Sequence, residues 1–124
     1  MGLKSVQKNR SLKKSIMENK KCKSCSIDAE KITEEELQYM MSSLTEWKVS
    51  NEDGIKKVQR TFTFKNFVQA LNFSNQVGEL AEKHNHHPAI LTEWGKVTVT
   101  WWSHGIGGLT LKDLDLAGGC DKIF

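Results

Sequence analysis

The chain has 124 residues, 38% of them hydrophobic and 27% charged, with a formal net charge of +3. That length gives room for one domain with one modest core, and the composition is that of an ordinary water-soluble chain. No apolar run approaches the roughly 20 residues that span a bilayer, and the N-terminus lacks the apolar stretch of a secretory signal, so a cytoplasmic protein is expected, with no membrane partner.

The charge is unevenly spread. Residues 1–31 hold nine Lys/Arg against three acids, a balance of +6, which leaves nine basic and twelve acidic residues, a balance of −3, for 32–124. Residues 1–31 therefore read as a basic leader, solvated and disordered because it lacks core-forming side chains. Contact with nucleic acid or an anionic surface is the other reading of such a leader. Met17 is a candidate natural start, with 1–16 as an extension. Within the leader, Cys22-Lys23-Ser24-Cys25 is half a zinc site, and the third cysteine is Cys120. A redox motif of this type needs a βαβ context that the chain lacks. A surface pair without catalytic duty is expected, zinc or redox binding being the alternative. Three cysteines in an unsecreted chain do not make a disulfide framework.

The domain is expected over 32–124. Thr33-Glu34-Glu35-Glu36 is a capping box, and Leu37, Met40, Met41 and Leu44 recur at helical spacing, which predicts a helix over about 33–44. A strand starts at Trp47, Asp53-Gly54 is a hairpin signal, and the return strand runs from about Ile55 to Phe64. Val58, Phe62 and Phe64 share one face of it, and Gln59, Thr61 and Thr63 the other. Asn66 can cap a long helix that reaches about His84, with Phe67, Ala70, Leu71, Phe73, Val77, Leu80 and Ala81 as its apolar stripe. Pro88 stops that helix. A short strand at about 89–94 and a second from Lys96 to His104 follow. In the second, Val97, Val99 and Trp101 share one face, and Thr98, Thr100, Trp102 and His104 the other. Gly105, Gly107 and Gly108 make a turn, and Thr110 caps a last helix with Asp113 three residues on. The order α-β-β-α-β-β-α predicts an α+β fold, with helices packed on one face of an antiparallel sheet. The open face or edge of such a sheet suits dimerisation.

All four histidines lie between 84 and 104: His84, His86, His87 and His104. Imidazole is the side chain that gives and takes protons near neutral pH, with an ordinary pKa of ~6.5. A helix end and a strand end can meet at one rim of a sheet, so His86, His87 and His104 are expected to converge, with Glu82 near enough to orient one ring. Solvated loop histidines are the bland alternative for any one of them. Metal ligation by His-x-His-His is the chemical competitor, but no carboxylate or cysteine is spaced to complete a site, and no metal is expected. Ser103 beside His104 is no Ser-His-Asp constellation, which leaves general acid–base chemistry as the best reading of the residues.

The runs Glu82-Lys83-His84-Asn85-His86-His87-Pro88, Trp94-Gly95-Lys96-Val97-Thr98-Val99-Thr100, Ser103-His104 and Gly107-Gly108-Leu109-Thr110 resemble the pterin-4a-carbinolamine dehydratase family, and its bacterial branch in particular. The resemblance covers about residues 32–116. It implies a four-stranded antiparallel sheet with helices on one face, assembled as homodimers or homotetramers. It implies dehydration of a 4a-hydroxytetrahydropterin to the quinonoid dihydropterin, which recycles the pterin for aromatic amino acid hydroxylation and links the protein to phenylalanine hydroxylase. By resemblance His86, His87 and His104 match the three active-site histidines, with acid and base roles left open. Glu82, Trp47 and Asp113 match substrate-binding positions, Trp47 as a ring that flanks the pterin and Asp113 also as a helix cap. The pterin is substrate, and no cofactor is implied. The departures are Trp94-Gly95 where many members have Tyr-Asn, and Ser103 where many have Thr. A second function implied by the resemblance is a non-catalytic interaction module, the dimerisation cofactor of a transcription regulator. Nucleic-acid binding by the domain itself is not expected, because the domain is acidic.

Overall fold

The structure, a computed structural model, describes residues 30–124. The basic leader up to residue 29, with Cys22 and Cys25, lies outside the described residues.

Helix α1 spans Glu34–Met41. It starts where Thr33 dictates: Glu36 N donates to Thr33 Oγ1 at 3.1 Å, and Thr33 N donates to Glu36 Oε1 at 3.0 Å. It ends three residues before the expected Leu44. The Ser42 and Ser43 hydroxyls donate to the carbonyls of Tyr39 at 2.6 Å and Met40 at 3.2 Å, local bonds that compete with the helix ladder. Leu44 is still buried, carried inward by the turn.

Strands β1 (Lys48–Glu52) and β2 (Ile55–Thr63) form the first hairpin. Asp53 and Gly54 both take positive φ, 56° and 84°, as a two-residue hairpin loop requires. Helix α2 runs over Phe67–His84, capped by Asn66 Oδ1, which accepts from Gln69 N at 2.9 Å. Strands β3 (Ala89–Glu93) and β4 (Lys96–Trp101) form the second hairpin, and α3 (Leu111–Ile123) closes the chain. The sheet is antiparallel throughout, in the order β1-β2-β4-β3. The fold is α+β with a four-stranded antiparallel sheet, in the order expected.

Register places Val58 opposite Trp101 and Phe62 opposite Val97. These four, with Val99, Val77, Ala70 and Ala117, are at most 1% exposed and form the core between sheet and helices. The alternate residues face away. Gln59 bonds Thr100 and Thr61 bonds Thr98, each at 3.0 Å, on the face without this core. Two expectations shift. Phe67 and Leu71, members of the expected apolar stripe of α2, are each 43% exposed, because the face turned to the sheet is Ala70, Phe73, Ser74, Val77 and Ala81. The last strand stops at Trp101, not His104: the Ser103 carbonyl accepts from the amides of Ile106 and Gly107, which folds 103–108 into a tight loop.

Candidate active site

The site begins with the way α2 ends. Asn85 takes the left-handed conformation (φ 50°, ψ 45°). The His86 amide donates to the Ala81 carbonyl at 3.1 Å and the Asn85 amide to the Glu82 carbonyl at 3.2 Å, a Schellman cap. That cap reverses the chain, so the next two residues depart in different directions. The His86 side chain goes inward and is 16% exposed, whereas that of His87 stays 53% exposed. His84, on the last turn of the helix, is exposed and outside the cluster.

His86 Nε2 lies 2.6 Å from Asp113 Oδ1, and its ring lies parallel to Trp101, 5.8 Å between centroids and 2° between planes. Asp113 is 0% exposed. Its other oxygen accepts from Ser103 Oγ at 2.7 Å, from the Thr110 amide at 2.9 Å and from Thr110 Oγ1 at 3.3 Å. A buried carboxylate needs this many donors to offset its lost hydration. The same carboxylate thus caps α3, orients His86 and ties down the end of β4. The sequence offered Asp113 as a helix cap, and the structure adds the contact with His86.

His87 Nε2 lies 2.7 Å from Glu82 Oε2, five residues back on α2. Both histidines therefore meet a carboxylate through Nε2. A carboxylate only accepts, so each pairing makes Nε2 the N–H donor and leaves Nδ1 without a hydrogen-bond partner among the described residues.

His104 follows Ser103, so the Ser103–Asp113 bond anchors its backbone next to the His86 carboxylate. Its own ring stacks on Trp102, 4.4 Å between centroids and 9° between planes. It shares no hydrogen bond, ion pair or ring contact with His86 or His87 among the described residues. The structure thus joins His86 to Asp113 and His87 to Glu82, and links His104 to them through its neighbour in the chain. Trp47 lies elsewhere. It is 3% exposed, edge-on to Phe62 at 5.9 Å, and its indole N–H donates to Asp121 Oδ1 at 2.9 Å. Core packing covers the ring that the resemblance had assigned to substrate stacking.

Sequence reasoning missed Ser103 and Thr110 as carboxylate donors and Trp101 as the plate under His86. The period-2 pattern did put Trp102 and His104 on one face, and the structure stacks them. Beside His87 a groove of about 860 Å³ opens between α2 and β3, lined by Ser74, Asn75, Gly78, Glu79, Glu82 and His87. No group of three His, Cys, Asp or Glu residues among the described ones is arranged to hold a metal ion.

Comparison with known proteins places the chain in a family. A protein of Chlorobaculum tepidum is 51% identical over 107 residues, which cover 86% of this chain and 96% of that one. One of Vibrio vulnificus is 49% identical over 108 residues, covering 87% and 98%. Both are provisionally named pterin-4-alpha-carbinolamine dehydratases. Among solved structures, a transcriptional coactivator/pterin dehydratase from Brucella melitensis superposes with a TM-score of 0.67 at 32% identity, over 75% of this chain and 97% of that one. A pterin dehydratase-like RuBisCO assembly factor of the alpha-carboxysome shares the fold, with a TM-score of 0.52 at 19% identity over 62% and 87%. The sequence pattern of the pterin 4 alpha carbinolamine dehydratase family matches residues 30–123, and the chain belongs to that family.

Proposed function

We propose that the protein dehydrates a 4a-hydroxytetrahydropterin to the quinonoid dihydropterin and water, by acid–base catalysis at His86, His87 and His104. The observation that carries this reading is the pair of carboxylate-oriented imidazoles, His86 on Asp113 at 2.6 Å and His87 on Glu82 at 2.7 Å, the second pair lining a groove. The reaction needs a proton delivered to the departing C4a hydroxyl and a proton removed from the adjacent ring nitrogen. An imidazole with an unbonded Nδ1 has the chemistry to do both. Glu82 and Asp113 hold the rings in one tautomer and neutralise them when they carry the proton. The substrate would be the recycled pterin of an aromatic amino acid hydroxylase such as phenylalanine hydroxylase. Trp47 is left out of the site, since its ring has no free face in this chain.

The test is stopped-flow decay of enzymatically generated 4a-hydroxytetrahydropterin. Wild type is expected to accelerate the decay, and the His86→Ala, His87→Ala double variant to lose the acceleration by at least about 10²-fold. EDTA is expected to change nothing. A folded wild type with no acceleration would overturn the reading, and activity abolished by EDTA would replace the mechanism with a metal-assisted one.

A second reading is favoured by one observation. Phe67, Val68 and Leu71 are 43%, 64% and 43% exposed on α2, an apolar face suited to a protein partner, and the Brucella relative is named a coactivator as well as a dehydratase. A regulator-dimerising role at this face would survive the double histidine change and fail in Val68→Asp.

A further inference from the structure

We propose that Lys57 and Trp102 are positioning residues for His104, a role that rests on the dehydratase reading above. His86 and His87 are each oriented by a carboxylate, whereas His104 has no carboxylate contact among the described residues. It also sits exposed in the 103–108 loop, whose backbone is tied at Ser103 while the His104 side chain makes no hydrogen bond among the described residues. An imidazole there would turn among its rotamers unless something held it. What holds it is a stack on the sheet face opposite the core.

The adjacent residues Trp101 and Trp102 point to opposite faces at the end of β4. Trp101, 0% exposed, backs His86 on the core side. Trp102 backs His104 on the other side, its ring parallel within 9° at 4.4 Å. Trp102 is itself fixed from β2: Lys57 Nζ lies 4.0 Å from its ring centroid, within cation–π range. The ammonium is tied in turn by Glu52 at 2.8 Å. Lysines on an open sheet face normally extend into water. Here the Lys57 side chain is only 15% exposed, against 59% for its partner Glu52. Glu52, Lys57, Trp102 and His104 thus form one continuous contact chain from the edge strand to the catalytic ring. A parallel stack contacts the faces of the imidazole and leaves both nitrogens at its free edge, which is the requirement for proton exchange with a substrate. Each histidine of the site then has a dedicated holder, and the tandem tryptophans serve one on each side of the sheet.

The experiment uses the full chain with Trp102→Leu, Trp102→Phe, Lys57→Met and Lys57→Arg. It reads kcat and KM for the carbinolamine and the proton chemical shifts of the His104 ring, with thermal melting as the check of folding. The stack predicts ring-current-shifted His104 protons in wild type that relax towards free-histidine positions in Trp102→Leu. With them kcat falls about tenfold or more while KM stays within about twofold, because the loss is of alignment and not of binding. Trp102→Phe restores most of both signals. Lys57→Met gives a smaller loss of kcat that Lys57→Arg rescues, since guanidinium also sits on indole faces. It keeps the test alive should Trp102→Leu unfold. Wild-type kcat in a folded Trp102→Leu or Lys57→Met protein whose His104 shifts have relaxed would overturn the proposal. So would failure of Trp102→Phe to rescue while its stack persists. An inactive wild type would instead sink the dehydratase reading, and this role with it, so the two failures are distinct.

Discussion

Asp113 is the residue that joins the start of α3 to the orientation of His86. Its two oxygens have separate duties: Oδ1 faces His86, and Oδ2 accepts from Ser103 and Thr110. An amide at this position has one acceptor and one donor. Whichever way it turns, its NH₂ opposes either the His86 N–H or the Ser103 and Thr110 donors. Asp113→Asn is therefore expected to cut kcat by about 10²-fold in stopped flow, and to cost about 1–3 kcal/mol of stability in urea titration through the unsatisfied buried groups. Cys120 makes a different point. Burial pushes its thiol from an ordinary 9.0 up to about 12, helped by Asp121 and opposed by the Trp101 side chain and the Arg60 charge. The folded state therefore holds the proton more tightly than the unfolded chain. Its contribution to stability is full below about pH 9 and is lost as pH rises from 9 towards about 12, at up to ~1.4 kcal/mol per pH unit. Unfolding free energy measured across that range should fall for wild type and fall less for Cys120→Ala. A thiol reagent at pH 8 should leave Cys120 untouched until urea is added.

The elements were legible in proportion to how local their causes are. The α1 start, the Asp53-Gly54 hairpin and the Asn66 cap all depend on side chains within four residues, and each is found where the residues put it; α2 ends at the expected His84, but through Asn85, ahead of Pro88. The misplaced ends depend on more. The end of α1 was decided by Ser42 and Ser43 bonding back to carbonyls, and the end of β4 by a loop folding onto the Ser103 carbonyl. Phe67 and Leu71 fell on the wrong side of the boundary because a hydrophobic stripe fixes a helix face only to within the width of one residue. Two glycines test the backbone side of this. Gly95 turns the β3–β4 hairpin at φ 77°, and a Cβ there would meet the Phe64 carbonyl oxygen at 3.3 Å. Gly95→Ala should lower stability by about 1–3 kcal/mol. Gly78 sits within α2 with nothing within 4 Å of a Cβ, so Gly78→Ala should raise stability by up to about 1 kcal/mol. Thermal melting of the two variants should therefore move in opposite directions.

For the molecule as a whole, the aromatic end of the core depends on one long-range junction. Asp121 Oδ1 accepts from Arg60 at 2.7 Å and from the Trp47 indole at 2.9 Å, and the Arg60 guanidinium lies 4.2 Å from the Phe62 ring centroid. Arg60 points to the core side of β2 between Val58 and Phe62, so this charge must be met inside. Asp121→Ala leaves a half-buried cation and an indole N–H without their partner. It is expected to cost about 2–4 kcal/mol by denaturant titration while leaving kcat near wild type, because none of the histidines contacts this junction. That outcome would separate folding from chemistry, as Asp113→Asn joins them. The sequence by itself determined the element order, the α+β class and the inward and outward faces of the central strands. These follow from caps, turns and periodicities that act over a few residues. Only the tertiary structure decided which carboxylate meets which imidazole, that Trp47 belongs to the core, and that Lys57 reaches Trp102. Those contacts join positions as far apart as 27, 74 and 45 residues. Such pairings are set by strand register and helix docking, which no local pattern specifies.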